Sequence, residues 1–166
     1  NKHLSYPFVI DFENNKYMVC ESYKSKKIML YKINLQNISL EFVKNIFENH
    51  EAIDPTIIFY QQKFWLFYTK SNQPNRDLYI SFSDNLLSKF TEHPQNPVKQ
   101  SLNSSRPAGM LFEHSGNLYR PAQFCQNFYG EKIIINQILK LSETEYLEQE
   151  KYQILASKNH NFHNQT

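Results

Sequence analysis

The sequence predicts an all-β protein, a β-propeller of which this chain holds about three blades. Three observations predict it. First, a two-strand segment recurs: Tyr6-Pro7-Phe8-Val9-Ile10 with Tyr17-Met18-Val19-Cys20-Glu21, Asp54-Pro55-Thr56-Ile57-Ile58-Phe59 with Phe64-Trp65-Leu66-Phe67-Tyr68, and Arg106-Pro107-Ala108-Gly109-Met110-Leu111-Phe112 with Leu118-Tyr119-Arg120. The three prolines lie 48 and 52 residues apart, and a period of about 40–50 residues built of short strands is that of a propeller blade. Second, aromatics make up 15% of the chain, and Phe and Tyr favour strands. Third, the apolar runs between the repeats alternate with period two, as in half-buried strands.

Taken in order, each repeated pair is followed by further strand signals. Lys27–Ile33 and Leu40–Ile46 follow the first pair, Asp77–Ser83 follows the second, and the near-continuous apolar run Lys132–Leu139 follows the third. Two repeat strands plus one or two more give the four-stranded unit of a blade. Short helical turns are predicted at Ser83–Lys89 and Ser142–Gln149. The segment His93-Pro94-Gln95-Asn96-Pro97 cannot be a central strand and reads as an inter-blade loop. The blades are then about 1–50, 51–103 and 104–155 within a single partial domain of residues 1–166, with 156–166 opening a further unit. With only three glycines, Asn, Asp and Ser must serve most turns.

Bulk composition narrows the function classes. A chain of 166 residues is one domain's worth and buries roughly 70% of its unfolded surface. Its 18 basic and 16 acidic residues are scattered, so the charge is that of a solvated surface and no nucleic-acid partner is expected. No apolar run approaches the ~18 residues of a membrane span. Cys20 and Cys125 match no zinc or redox spacing, which points to buried thiols in a reducing, cytoplasmic setting. The chain opens on Asn1 rather than Met, so residues upstream are expected. No phosphate-binding glycine loop or dinucleotide fingerprint occurs, and no cofactor is expected. Ser5 and Ser105 lack a nucleophile elbow. His3, His160 and His163 have no carboxylate at metal-ligand spacing, and no metal is expected.

Several ordered strings resemble one family: His3-Leu4-Ser5-Tyr6-Pro7-Phe8-Val9, Tyr17-Met18-Val19-Cys20-Glu21-Ser22, His93-Pro94-Gln95-Asn96-Pro97-Val98, Ser105-Arg106-Pro107-Ala108-Gly109 and Leu118-Tyr119-Arg120-Pro121-Ala122-Gln123, closed by Tyr129-Gly130. The resemblance is to the N-terminal domain of glucosamine inositolphosphorylceramide transferases, found also in bacterial proteins of the formyltransferase type, and it covers nearly the whole chain. Such domains are similar to the five-bladed propellers of furanosidases such as arabinanases and invertases. The resemblance implies that the chain carries the middle three of five blades, and that a transferase domain, or a second copy, completes the assembly.

The chemistry-bearing candidates follow from blade geometry. A blade's first strand runs along the central channel, so Tyr6, Asp54 and Arg106 at the three openings approach the axis. Arg donates in a fork, Asp accepts, and Tyr offers a ring and a hydroxyl, a set suited to a sugar or glycan. Alternatively, Asp54 and Arg106 simply pair across neighbouring blades. Arg120, Gln123 and Tyr129 form a second polar group; Arg120 lies on a strand that should be buried, so it must be paired, by an anionic ligand or by an internal acid such as Glu131 or Glu113. Trp65 and its aromatic neighbours read as blade-to-blade core. Glycoside hydrolysis needs two carboxyl groups at a defined separation. Asp54 and Glu21 are the candidates, Glu21 because it ends an apolar strand where burial raises its pKa. The furanosidase resemblance implies three acids from three blades, and of the openings here only the second carries one.

The preferred expectation is therefore a carbohydrate-recognising or scaffolding propeller attached to a glycan-modifying transferase. The alternative is a furanosidase-like hydrolase using Asp54 and Glu21 with an acid from another blade. A protein–protein platform is the third.

Overall fold

The computed structural model describes residues 4–155. They form three antiparallel sheets. The first contains β1 (Ser5–Phe12), β2 (Asn15–Ser22), β3 (Lys27–Asn34) and β4 (Ser39–Glu48), with a 3-10 turn at Tyr23–Ser25. The second contains β5 (Ala52–Tyr60), β6 (Lys63–Lys70) and β7 (Asp77–Ser83), whose outer edge is completed by two short pieces, β8 (Thr91–Glu92) and β9 (Lys99–Gln100). The third contains β10 (Phe112–His114), β11 (Asn117–Phe124), β12 (Lys132–Leu141) and β13 (Tyr146–Leu155). Each sheet is a meander in chain order, the pattern of a propeller blade.

The three opening hairpins close on Phe12↔Asn15, Tyr60↔Lys63 and His114↔Asn117. Counting from these pairs, Tyr17, Trp65 and Tyr119 share one position, and Glu21, Thr69 and Gln123 another. The expected matching of Tyr17 with Phe64 and Leu118 is thus one residue out. That matters because strand side chains alternate faces, so a one-residue slip moves a side chain to the opposite side. In the corrected register the pattern is consistent. Tyr17 and Val19 pack with Ile57, Phe64, Leu66 and Tyr68 between the first and second blades. Trp65 and Phe67 pack with Leu118, Ile138 and Leu141 between the second and third. The middle blade is thereby apolar on both faces. Its Phe64, Trp65, Leu66, Phe67 and Tyr68 are all nearly fully buried, each contributing about 1.5–3 kcal/mol of hydrophobic stabilisation.

The structure departs from expectation at three segments. His93–Pro97 does not link blades; it interrupts the outer edge of the second, between two strands that both pair with β7. Asn96 there receives the Ile80 amide and donates to the Ile80 carbonyl, both at 2.8 Å, so a side chain replaces the ladder bonds that proline cannot make. Ser83–Lys89 contains bends and turns but no helix, and Ser142–Gln149 runs into β13. In the latter, a Glu- and Gln-rich sequence with good helix propensity is held extended by pairing along β12. His3, His160 and His163 lie outside the described residues.

Candidate functional site

The first strands do not run straight into the channel mouth. β1 and β5 each lose register just after their start, between Ser5 and Phe8 and between Ile53 and Thr56. At each irregularity a non-glycine residue adopts the left-handed conformation directly before a proline: Tyr6 at φ 50° and Asp54 at φ 52°. That conformation is costly for L-residues and is stored at functional sites more often than elsewhere. The third blade solves the same problem differently. Arg106 bonds in register with Gln123, the Gln123 amide donating to the Arg106 carbonyl at 2.8 Å, and the chain then turns out at Gly109, φ 120°. Arg106 therefore stands where Ser5 and Ile53 stand in the other blades, one place before Tyr6 and Asp54.

These local devices bring nine side chains together. Asp54 Oδ2 accepts from Arg106 Nε at 2.7 Å and from Gln123 Nε2 at 2.8 Å. Gln123 Nε2 also donates to the Pro107 carbonyl at 2.7 Å. Arg106 Nη1 donates to Asn75 Oδ1 at 3.2 Å, and the Tyr129 ring lies 5.8 Å from the guanidinium carbon, within cation–π reach. Glu21 accepts from the Ser5 hydroxyl at 2.7 Å and from the Asp54 backbone N–H at 2.6 Å. Tyr6 shares a 3.1 Å hydrogen bond with Thr56, whose hydroxyl also reaches the Asp54 carbonyl at 3.3 Å. Next to this cluster a cavity of about 400 Å³ is lined by Tyr6, Phe8, Gly109, Gln123, Tyr129 and Ile133 among others, a size in the range of small-molecule sites. A wider groove of about 810 Å³ sits at the opposite end of the first blade, between the hairpin tips carrying Asp11, Lys16, Lys32 and Glu41. Its Asp11–Lys16 pair is exposed, and none of the nine converging side chains lines it.

Burial sets the electrostatics of the cluster. Glu21 is 4% exposed, and burial pushes its carboxyl above the ordinary range; its hydrogen bonds from Ser5 and the Asp54 amide work against that, the Asp54 charge adds to it and Arg106 offsets it. Burial alone would lower the Arg106 pKa, but the hydrogen bond and charge of Asp54 outweigh it and hold the guanidinium above its usual value. Tyr6 is raised chiefly by burial.

The Glu21 shift has a testable sign. A carboxyl whose folded pKa is raised holds its proton more tightly folded than unfolded. Its contribution to stability is complete below the ordinary Glu value of about 4.3 and is lost as pH rises through the raised folded value. We expect the stability difference between the wild type and Glu21→Gln to move against the wild type across that window and then to level off. Urea unfolding of both proteins from pH 4 to pH 8 checks this; a wild type that gains on the variant with rising pH contradicts it.

Arg120, placed with Gln123 and Tyr129 on sequence grounds, is not at the mouth. It is 0% exposed and bonded throughout: Nε and Nη2 to Glu148 at 2.8 and 2.6 Å, and Nη2 and Nη1 to the Ser104 and Ser105 carbonyls at 2.5 and 3.2 Å. The internal acid is Glu148; Glu131 instead bonds Asn127, and Glu113 has no ion-pair partner among the described residues. Lys99 donates to the same Glu148 at 2.8 Å, and to Ser104 and Asn136. Burial would raise the Glu148 carboxyl, but Arg120 and Lys99 together more than offset it and keep it below its ordinary value. This cluster fixes the two residues immediately before Arg106. Sequence reasoning missed Glu148 and Lys99, as it did Ser5, Thr56 and Asn75. Of these, Thr56 lay inside the repeat two places after Asp54 and Ser5 directly before Tyr6; the others carried no signal.

Comparison with known proteins now places the chain. The family model described as glucosamine inositolphosphorylceramide transferase 1, N-terminal, matches residues 1–165. The chain belongs to this family. It is 37% identical over 153 residues to glucosamine inositolphosphorylceramide transferase 1 of Oryza sativa subsp. indica, covering 88% of this chain and 20% of that protein. It is 31% identical over 154 residues to the Arabidopsis thaliana protein of the same name, covering 89% and 20%. The chain thus spans about a fifth of the length of these relatives. Among solved structures, an exo-β-1,3-galactanase from Clostridium thermocellum superposes with a TM-score of 0.73 at 13% identity, over 92% of this chain and 35% of that one. A family 43 β-1,3-galactosidase superposes at 0.72 and 9%, over 92% and 47%, and a family 117 glycoside hydrolase from Zobellia galactanivorans at 0.69 and 12%, over 93% and 47%. The fold is that of the five-bladed, furanosidase-type propeller, with three blades in this chain. By sequence and by fold the relatives are proteins of carbohydrate chemistry. No helix among the described residues is long and apolar enough to cross a membrane.

Proposed function

We propose that the chain is a carbohydrate-recognising propeller that works alongside a glycan-modifying transferase activity, with its binding site at the channel mouth formed by Tyr6, Asp54, Arg106, Gln123 and Tyr129. The observation that carries this is the convergence on Asp54. Arg106 and Gln123 arrive from a different blade to donate to one of its oxygens, beside an aromatic ring and a cavity large enough for a sugar. Interlocked charged and amide groups next to an apolar, aromatic wall match the two surfaces of a sugar ring. The names of the relatives supply the glycan context.

The hydrolase reading also has an observation in its favour, a buried carboxyl with a raised pKa at Glu21. Against it, both Glu21 oxygens are engaged, one by Ser5 and one by the Asp54 amide. A general acid must present its proton to the leaving group; Glu21 instead holds the Asp54 backbone in place.

A glycan array probed with the full chain, with released reducing ends assayed in parallel, tests the proposal. We expect binding to a subset of glycans, its loss in Arg106→Ala, and no release. Release of reducing sugar that disappears in Glu21→Gln would replace recognition by hydrolysis. Absence of binding by a folded chain would leave the Asp54–Arg106 pair as a latch between blades.

A further inference from the structure

The loop His93–Pro97, set between β8 and β9, meets the third blade through a buried histidine. His93 is 2% exposed, and its backbone N–H donates to the Ile80 carbonyl of β7 at 3.0 Å. Its ring spans the seam between the second and third blades. Nε2 lies 3.1 Å from the carbonyl of Ser142, in the turn joining β12 to β13, and the Gln95 backbone N–H donates to Nδ1 at 3.2 Å. A carbonyl only accepts and a backbone N–H only donates. These partners therefore fix one form of the ring, with the proton on Nε2 and Nδ1 a bare acceptor. Gln95 passes the hold onward: its side-chain Oε1 accepts the Tyr146 N–H at 3.2 Å. The turn is thus gripped at either end, at Ser142 by His93 and at Tyr146 by Gln95.

A second proton on the ring undoes this arrangement. Nδ1–H would face the Gln95 N–H, donor against donor, and a buried imidazolium needs an anion beside it. The charged groups on the surrounding elements are engaged elsewhere. Glu92 of β8 pairs with His50 at 2.7 Å, Glu143 with Lys63 at 2.7 Å and Glu145 with Lys140 at 2.5 Å. Asp77 of β7 accepts from Gln100 at 3.1 Å, and the Tyr146 hydroxyl donates to Glu148. Burial lowers the His93 pKa below the ordinary histidine value; the Ser142 hydrogen bond opposes it in part, and no neighbouring charge contributes.

We infer that His93 is a proton-sensitive clasp between the second and third blades, shut while its ring is neutral and released when the ring takes up a proton. Protonation turns the Gln95 N–H away from Nδ1 and carries off the acceptor that holds the Tyr146 amide. The start of β13 then loosens, while the apolar contacts of Trp65 and Phe67 with the third blade, and the Lys63–Glu143 pair across the same seam, remain. The sign follows from linkage. A histidine with a depressed folded pKa gives stability that is complete above its unfolded value of about 6.5 and is lost as pH falls toward the folded one.

Amide hydrogen exchange of the full chain at pH 7 and pH 5, corrected for the intrinsic pH dependence of exchange, tests the clasp beside His93→Gln, whose side-chain amide donates but does not titrate. In the wild type the protection of the Gln95 and Tyr146 amides should fall at least tenfold on acidification, with Leu66 and Phe67 of β6 unchanged. In His93→Gln the same two amides should change less than twofold. An equal fall in both proteins, no fall in the wild type, or a matching fall throughout β6 overturns the clasp. NMR titration of the His93 ring in the wild type needs no variant. The Nε2–H tautomer at pH 7 and a midpoint below about 6.5 are expected; the Nδ1–H tautomer, or a midpoint at or above that value, overturns it.

Discussion

Replacing Glu148 by alanine is expected to lower the stability of the protein by about 3–5 kcal/mol. The carboxylate is 2% exposed and takes charge-assisted bonds from Arg120 and Lys99, and Tyr146 donates to it at 2.5 Å. Its removal leaves a fully buried guanidinium and a largely buried ammonium facing each other without an anion. Against a total of about 5–15 kcal/mol for a typical domain, that is a large fraction. The penalty comes from the unpaired cations more than from any net value of the pair, because desolvating both partners cancels most of their attraction. Hence Arg120→Met combined with Glu148→Leu is expected to recover much of the loss. Denaturant unfolding of the singles and the double checks this; a Glu148→Ala protein within 1 kcal/mol of the wild type would mean the cluster is wetter than its burial implies.

The second large effect is expected at Asp54. Asp54→Ala should weaken glycan binding by about 10- to 150-fold, the equivalent of about 1.5–3 kcal/mol for hydrogen bonds to a charged group. It should also destabilise the fold, since it unpairs Arg106 and Gln123 and puts a residue less tolerant of left-handed backbone at φ 52°. Asp54→Gly separates these contributions: glycine accepts that backbone, so part of the stability should return while binding does not. Recovery of binding in Asp54→Gly would show that the loop conformation, and not the carboxylate, makes the site.

Much of this was legible in the chain, for reasons that differ from residue to residue. The proline-centred repeat announced the blades because Tyr6-Pro7 and Asp54-Pro55 use one backbone device, and both residues are left-handed in the structure. The strands Lys27–Asn34 and Asp77–Ser83 follow from the alternation of apolar residues in the sequence, although their burial does not alternate: Ile28, Met29 and Leu30 are buried in a row, as are Ile80 and Ser81. Arg106 looked like a third copy of Tyr6 and Asp54 but stands one register place earlier, because the third blade turns out at Gly109 instead of bulging at the residue before proline. Proline spacing alone does not show this; hairpin register does. Glu148 was invisible as the Arg120 partner because it lies 28 residues downstream, on a strand whose Glu, Gln and Lys content reads as helical until β12 imposes pairing on it. Long-range pairing of buried charges is decided by packing, and no local pattern encodes it.

Whether a ligand sits at the mouth where three blades meet Asp54 can be read from the Gln123 side-chain amide and the Arg106 Nε–H by NMR as a neutral β-1,3-galacto-oligosaccharide is titrated in. Both protons are donated to Asp54 Oδ2, so a ligand taking up Asp54 and Arg106 must move them together and saturably. These two signals are expected to shift most. Saturable shifts clustered at the opposite hairpin tips around Asp11 and Glu41, with the Gln123 and Arg106 signals unmoved, would contradict it.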